Sequence, residues 1–471
     1  MASSRLKVWL LYVVLVSALG GFLFGFDSGV ISGCEQAIQG EYSLSPFGHG
    51  FTVSVALIGT VIGAFGVGRP SDRLGRKISL IILGFMFLIS AAGCALAPDW
   101  ITLVVMRGLG GLAIGGASVV VPLYIVEIAP GPVRGRLVAV NQLNIVLGIL
   151  VSYISNYAAA MAIDRQTCVC AWCGHFAQWF TESEIALESI KWRLMLGVES
   201  FPAILFILLL FTIPESPRWL VRAGRKEEAL DVLRRIGDPE PAATLANIEE
   251  TLASVHAGEN VPLFQKKYLW PIFLAWAVAM FNQLSGINAI NYYAPRIFEQ
   301  FIGPHAALAA TVGLGSVNLL FTILAFFFID RYGRRALLMF GAVGTTLMHF
   351  IAAWQISLGA GACAPIAIAA ILGFIAFFGI SQGAVIRVFI SEIFPNAVRA
   401  KGQALGSFTH WTMCTLISWA FPVVASLSPS SGSYAFGFFG CMTMLQFFFA
   451  WKLMPETKGG TIETLEKEIL K

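Results

Sequence analysis

Long apolar runs separated by short polar stretches dominate the chain. Twelve of these runs approach or exceed the roughly 20 residues that a helix needs to cross a bilayer. We predict membrane-spanning helices at 8–33, 51–68, 78–97, 101–126, 137–162, 194–213, 268–292, 306–329, 337–359, 364–390, 403–427 and 433–454. The long polar stretch 221–266 has helical periodicity and mixed charge, which predicts short surface helices. The pattern predicts an all-α integral membrane protein.

Composition excludes a soluble protein. Of 471 residues, 57% are hydrophobic and only 12% are charged, whereas a soluble domain is about 25% charged. If the N-terminus lies inside, 25 of the 31 lysines and arginines fall in inside segments, four fall outside and two lie within the membrane. This is the positive-inside pattern, so we expect a multi-pass cell-membrane protein with both termini in the cytoplasm.

Three charged motifs occur once in each half of the chain, in the same order. They are GRPSDRLGRK (68–77) with IDRYGRR (329–335), EIAPGPVRGR (127–136) with EIFPNAVRAK (392–401), and PESPRWL (214–220) with PETKGG (455–460). Such a parallel repeat is typical of one class of transporters. The repeat predicts an N-terminal six-helix lobe (1–220), a cytoplasmic linker (221–266), a C-terminal six-helix lobe (267–454) and a cytoplasmic tail (455–471).

The charged residues of these motifs lie together on the predicted inner side, where we expect ion pairs that join the two halves and break when the halves separate. We call this set the inner latch: Asp72, Arg73, Arg76, Glu127, Arg134, Glu215, Arg218, Asp330, Arg331, Arg334, Glu392 and Arg399. Exposed pairs contribute only about 0–1 kcal/mol each, but a network can bias two states that differ by a few kcal/mol. The alternative is charge that only sets the membrane topology.

Asp27 lies in the apolar first helix, within GGFLFGFDSGVISG. A charged aspartate at a helix centre costs about 2.5–3.5 kcal/mol on insertion scales, so it needs a partner or a proton. Arg107 in the fourth helix lies about 9 Å below the outer edge, the same depth as Asp27 at about 1.5 Å per residue. We predict that the two side chains pair, either as a static ion pair or as a proton-coupling site.

The seventh helix carries four side-chain amides within ten residues: Asn282, Gln283, Asn288 and Asn291. Amides both donate and accept hydrogen bonds, as recognition of a polyhydroxyl ligand requires. Helix-to-helix hydrogen bonds, worth about 0.6 kcal/mol each, are the alternative role. Four amides near Gly286 favour a binding site.

A cysteine cluster follows the fifth helix on the predicted outer side: Cys168, Cys170 and Cys173, with His175 nearby. A disulfide with one thiol left over, or three free thiols, suits that compartment better than a metal site made by three cysteines and the histidine. We therefore predict no bound metal. Whether the three cysteines form a disulfide or are free thiols stays open.

Taken together, PESPRWL, PETKG, the paired DRxGRR and E-x6-R motifs, NQLSGINAINYYAP (282–295) and GFLFGFDSGVISG resemble the sugar porter family of the major facilitator superfamily. The resemblance covers nearly the whole chain. It implies the major facilitator fold, in which twelve helices form two six-helix lobes that hold a sugar between them and expose it alternately to each side. The Asp27–Arg107 pair resembles that of the proton-coupled members of the family.

The resemblance also implies sugar-binding residues. Those that match the family are Gln142, Gln283, Asn288, Asn318 and Trp411; Asn282 and His410 stand where the family has other polar residues. Arg387 replaces a tryptophan that usually lines the sugar site, and Ala384 replaces a common proline. Three interpretations of Arg387 remain open: its guanidinium reaches the cytoplasm along the helix, it pairs with an acidic sugar, or it only weakens a neutral-sugar site.

We therefore expect a proton-coupled symporter that takes up a monosaccharide, either a hexose or a pentose. Alternatives are an uncoupled facilitative sugar carrier, a symporter of acidic sugars or polyols, and a sugar sensor. The sequence contains no phosphate loop and no nucleophile constellation, so we do not expect an enzyme. We expect no cofactor and no nucleic-acid partner; the partners are a sugar, protons and the lipid bilayer, and the protein is expected to act as a monomer.

Overall fold

Helices form all the regular structure in the described part of the chain. The computed structural model describes residues 2–130, 133–164, 187–257, 261–395, 398–428 and 431–458. The first eleven helices are α1 Ala2–Glu41, α2 Pro46–Gly66, α3 Gly68–Leu74, α4 Arg76–Ala95, α5 Trp100–Ile128, α6 Arg134–Asp164, α7 Leu187–Gly197, α8 Ser200–Leu210, α9 Pro217–Arg222, α10 Lys226–Arg235 and α11 Pro241–Ala257. The others are α12 Leu269–Leu284, α13 Ile287–Ile302, α14 Pro304–Tyr332, α15 Arg334–Ser357, α16 Ala364–Ile380, α17 Gln382–Glu392, α18 Arg399–Ala425 and α19 Ser431–Lys452.

Most membrane helices lie where the apolar runs predict them. Eleven spans of the described chain are long and apolar enough to cross a membrane. The predicted eleventh helix corresponds to α18, which is not among these spans although it is 27 residues long. The expected surface helices of the stretch 221–266 are α10 and α11.

Two helices extend well beyond their apolar runs. We predicted that the first helix ends near residue 33, but α1 continues to Glu41; α2 begins at Pro46 rather than at 51. The added turns carry Glu35, which is almost fully buried and contacts Arg296 and His49. Hydropathy alone misses these turns because they mix buried apolar side chains, such as Ile38, with polar ones, such as Glu35.

Three predicted helices are interrupted. The sixth divides into α7 and α8, the seventh into α12 and α13, and the tenth into α16 and α17. Gly286 lies in the second break with a φ of 79°, a left-handed conformation that glycine adopts readily. Discontinuous helices of this kind leave backbone polar groups free at membrane depth, where transporters build their binding sites.

The chain forms two packing units. The first comprises Met1–Ser28, Ile58–Ser152 and Arg193–Asn260, and the second comprises Gly29–Leu57, Tyr153–Trp192 and Val261–Lys471. These units cut α1 and α2 near their middles, so they are not the predicted lobes. The boundaries of the lobes, the linker and the tail stay a prediction.

Each unit has its own close packing. In the first, α2 and α5 approach so closely that a Cβ on Gly115 would lie 2.2 Å from the carbonyl oxygen of Thr60. Small residues permit such contacts between membrane helices, as the glycines of α5 led us to expect. In the second, α15 packs against α16 and α19, and α12 packs against α18. These contacts fix the helices that carry the polar side chains described next.

Candidate functional site

A buried charge cluster lies inside the first packing unit. Nη1 of Arg107 on α5 donates a hydrogen bond of 3.1 Å to Oδ1 of Asp27 on α1. The two side chains are 2% and 6% exposed. The carboxyl group of Glu199 lies close enough to interact with both. We call these three residues the Asp27 cluster; it contains two carboxyl groups and one guanidinium.

The sequence predicted the pairing of Asp27 with Arg107, and the geometry agrees, but Glu199 was missed. Glu199 is 3% exposed and lies in the break between α7 and α8, directly before the first residue of α8. The signal was present: Glu199 is an acidic residue inside the predicted helix 194–213. A charged residue within a membrane span is itself a functional indication.

The second packing unit contains an amide cluster around the break between α12 and α13. Nε2 of Gln283 donates to Oδ1 of Asn282 at 3.0 Å, and Nδ2 of Asn288 donates to Oε1 of Gln283 at 2.5 Å. Nε2 of Gln283 also lies 3.2 Å from both ring nitrogens of His410 on α18. Four predicted sugar-binding residues therefore meet in one network.

The break makes this network possible. In an unbroken helix, positions 283 and 288 lie on different faces, because residues that share a face are three or four apart. The left-handed Gly286 changes the direction of the chain between them. A Cβ on Gly286 would also lie 2.4 Å from the ring of Phe439, so no larger residue fits there without a shift.

The remaining predicted sugar-binding residues have different surroundings. The ring centroid of Trp411 lies 5.1 Å from that of His410, and Asn318 on α14 is 8% exposed. Arg387 on α17 is exposed, and its charge acts on His410. This interaction indicates that Arg387 lies near the amide cluster, and the three interpretations of its role stay predictions. Gln142 lies on α6, whose first nineteen residues belong to the other unit.

The charged motifs of the first half form one network, the N-terminal motif cluster. Arg76 donates to Glu127 through Nε at 3.0 Å and Nη2 at 2.9 Å, and through Nη1 to Asp72 at 3.0 Å. The backbone N–H groups of Arg76 and Lys77 donate to Oε1 of Glu215 at 2.9 and 3.1 Å. Burial raises the pKa of Glu215, while these backbone donors oppose the shift.

The C-terminal motif cluster repeats this geometry. Nη2 of Arg334 donates to Oε1 of Glu392 at 2.9 Å, and the backbone N–H of Arg334 donates to Oε1 of Glu456 at 2.9 Å. Oγ1 of Thr457 donates to Glu392 at 2.5 Å, as Oγ of Ser216 does to Glu127. The same contacts at corresponding motif positions support a duplicated unit.

Within the described residues, the acidic members of the inner latch pair inside their own half of the chain, Glu127 with Arg76 and Glu392 with Arg334. Ion pairs that join the two halves stay a prediction. Nη2 of Arg134 donates to the carbonyl of Ala129 at 3.5 Å, and Nε of Arg399 donates to that of Phe394 at 3.3 Å. Both arginines are the first residues of their helices, and the carbonyls that accept from them lie in the loops that follow α5 and α17.

Other predicted latch and cysteine positions give less information. No ion pair of Arg73, Arg218 or Arg331 occurs within the residues that the structure describes. The side chain of Asp330 lies outside those residues. So do Cys168, Cys170, Cys173 and His175.

The fold and these clusters can be compared with known proteins. A family model described as sugar (and other) transporter matches residues 13–469. The chain belongs to the sugar transporter family. Membership explains the twelve apolar runs and makes the chain a multi-pass membrane protein, a transporter and not an enzyme.

Curated members of the sugar transporter family match the chain over almost its full length. The D-xylose-proton symporter of Escherichia coli K12 is 35% identical over 491 residues, which cover 96% of this chain and 94% of that protein. The arabinose-proton symporter of Bacillus subtilis strain 168 is 36% identical over 468 residues, with coverages of 97% and 95%.

Solved structures of the family have the same fold. A partially occluded inward-open conformation of the E. coli xylose transporter matches with a TM-score of 0.81, 32% identity, and coverage of 96% of this chain and 100% of that chain. An inward-open conformation matches with a TM-score of 0.80 and 33% identity. The predicted all-helical, twelve-helix major facilitator fold is thereby confirmed.

Proposed function

We propose that this protein is a secondary active transporter that couples the uptake of a monosaccharide, a hexose or a pentose, to proton movement by alternating access. The observation that carries the proposal is the Asp27 cluster, because two carboxyl groups share one guanidinium inside membrane helices. The similarity to D-xylose- and arabinose-proton symporters supports the same conclusion.

Charge counting explains how the cluster binds a proton. With both carboxyl groups ionised, Asp27, Glu199 and Arg107 together carry one net negative charge, which is costly in a buried site. Binding one proton makes the cluster neutral. The proton belongs to the carboxyl pair rather than to one residue, because the two groups interact. We therefore expect one proton per transport cycle.

A change in distance within the cluster couples the proton to movement. A nearby guanidinium favours the ionised carboxylate, and burial favours the protonated form. If α1 and α5 separate, Asp27 loses the stabilisation by Arg107 and takes up a proton; when they close again, the proton leaves. A proton then loads on one side of the membrane and is released on the other.

The amide cluster supplies the sugar-binding groups. Asn282, Gln283 and Asn288 offer donors and acceptors that match adjacent sugar hydroxyls, and Trp411 offers an apolar face. Their hydrogen bonds to each other and to His410 keep these polar groups satisfied without a ligand. We assign Gln142 and Asn318 to the same function on the basis of the family resemblance.

An acidic monosaccharide is a second candidate substrate. One observation favours it: the charge of Arg387 acts on His410, which contacts the amide cluster. A guanidinium binds a carboxylate in a bidentate manner that a neutral sugar cannot reproduce. A neutral sugar remains our proposal, because the amide network provides its hydroxyl partners.

The orientation and the inner latch are parts of the same proposal. The distribution of basic residues supports cytoplasmic termini, with the two motif clusters on the inner side. There, each cluster would hold its own half rigid while the halves move. We propose that the protein acts as a monomer in the lipid bilayer.

Uptake into proteoliposomes tests the function. Radiolabelled xylose, arabinose, glucose and glucuronate should be compared with and without an inward proton gradient. We expect one neutral monosaccharide to accumulate only with the gradient. Equal uptake in both conditions would indicate a facilitative carrier, and accumulation of glucuronate alone would indicate an acidic substrate.

A further inference from the structure

Three polar side chains from three helices meet near the C-terminal end of α1. Nε of Arg296 on α13 donates to Oε1 of Glu35 on α1 at 3.0 Å, and its Nη2 lies 3.0 Å from Oε2 of Glu35. Nε2 of His49 on α2 lies 2.7 Å from the same Oε2. Glu35 and His49 are 1% and 0% exposed. A buried carboxylate therefore has a guanidinium and an imidazole against it, and Nη2 of Arg296 also donates to Oε1 of Gln39 on α1 at 2.5 Å.

This group contacts the part of α13 that follows a kink. The helix departs from helical geometry at Tyr293, with φ of −114° and ψ of 16°, and Pro295 follows. A proline within a helix removes a backbone donor and produces a kink. We call the residues after this kink, 294–302, the α13 tip; Arg296 is its third residue. The amide cluster begins on the other side of the kink.

The kink itself contacts both regions. The ring centroid of Tyr293 lies 5.8 Å from that of His49, and the Tyr293 hydroxyl donates to the carbonyl of Ser418 on α18 at 3.1 Å. α18 also carries His410 of the amide cluster. Displacement of the α13 tip would therefore disturb the sugar-binding side chains through the same residue that touches His49.

We propose that Glu35, Arg296 and His49 form a gate, the Glu35 latch, which holds the α13 tip against α1 and α2 and must open before a sugar enters from that end. The inference rests on the proposed transport function, whose orientation places this end outside. A buried ion pair adds little to stability compared with apolar packing. It suits a contact that must break, because both charges are hydrated once the tip moves away.

The chain offers a matched control beside the latch. Nε2 of Gln36 on α1 donates to Oε2 of Glu299 on the α13 tip at 3.0 Å, and this contact is exposed. It joins the same two helices one residue further along α1, but it buries no charge. Its loss should leave the equilibrium between closed and open states nearly unchanged.

Pulsed electron spin resonance can measure the opening directly. Spin labels at Gly40→Cys and Gln300→Cys report the distance between α1 and the α13 tip, in a background whose other accessible cysteines are serine. Both positions are exposed, and a Cβ at Gly40 meets no atom within 4 Å. Glu35→Gln, Arg296→Gln, Arg296→Lys and the charge-swapped double variant should be compared with Gln36→Ala.

We expect Glu35→Gln and Arg296→Gln to raise the ratio of long to short distances at least fivefold, with a smaller rise for Arg296→Lys. The charge swap should return the ratio towards that of the unchanged protein. A ratio that stays constant in the Gln variants, or that rises equally in Gln36→Ala, would overturn the proposal. The distances are measured without substrate, so this outcome is separate from any failure of proton-coupled uptake. Arg296→Lys keeps the test decisive if a neutral variant does not fold.

Discussion

Replacing Asp27 by asparagine tests whether the buried carboxyl pair couples the proton to transport. Asparagine keeps the size of the side chain and the Oδ1 acceptor that Arg107 uses at 3.1 Å. It cannot carry the exchangeable proton. The cluster becomes neutral without a proton, because Glu199 alone balances Arg107. We therefore expect sugar binding and exchange to persist while gradient-driven accumulation is lost.

The expected magnitude follows from the proposed one-to-one coupling. An inward gradient of one pH unit supplies about 1.4 kcal/mol, enough for about tenfold accumulation. The Asp27→Asn variant should reach a ratio of about one. Because Glu199 stays as a counterion, the loss of stability should be well below the roughly 3–5 kcal/mol of an unpaired buried charge. Glu199→Gln should uncouple transport for the same reason of charge balance.

Proteoliposomes provide the assay and its control. Accumulation should be measured with a pH gradient, and exchange should be measured as counterflow without one. Asp99→Asn is the matched control: it makes the same chemical change at an exposed carboxylate that caps α5, the helix of Arg107. Asparagine also caps helices well, so coupling should be retained. Tenfold accumulation by Asp27→Asn would refute the coupling role of this carboxyl.

Three further outcomes are expected. Gly286→Ala should lower the melting temperature and weaken sugar binding, because the φ of 79° and the contact with Phe439 both oppose a Cβ; unchanged values in thermal unfolding and calorimetry would contradict this. Arg387→Trp should tighten neutral-sugar binding by about 0.5–1.5 kcal/mol through a restored aromatic contact. Preference of the unchanged protein for glucuronate, with loss of glucuronate binding in the variant, would contradict this. Arg76→Ala should lower the free energy of unfolding by about 3 kcal/mol, and this loss should exceed that of Arg334→Ala. The reason is burial, because Glu127, the partner of Arg76, is 7% exposed, whereas Glu392, the partner of Arg334, is 25% exposed. Denaturant unfolding of both variants measures that difference, and equal losses would count against the explanation by burial.

Hydropathy and charge determined the membrane helices, the repeat and the pairing of Asp27 with Arg107. These features depend on local composition or on depth within a bilayer, both of which can be counted along a chain. The amides of the seventh helix were also visible, because polar side chains stand out in an apolar span. Their chemistry indicated a polyhydroxyl ligand before any geometry was known.

Only the tertiary structure decided which side chains share a cluster. Glu199 joins Asp27, and Glu35 joins Arg296, across long stretches of chain, and no local pattern encodes such distances. The breaks beside Glu199 and at Gly286 are also seen only in the structure, since hydropathy shows one continuous run in each case. The pairs of Glu127 with Arg76 and of Glu392 with Arg334 were likewise not specified by the spacing of the motifs. Spacing along the chain determines which residues share a face of one helix. Contacts between helices depend on how the helices pack together, which spacing does not give.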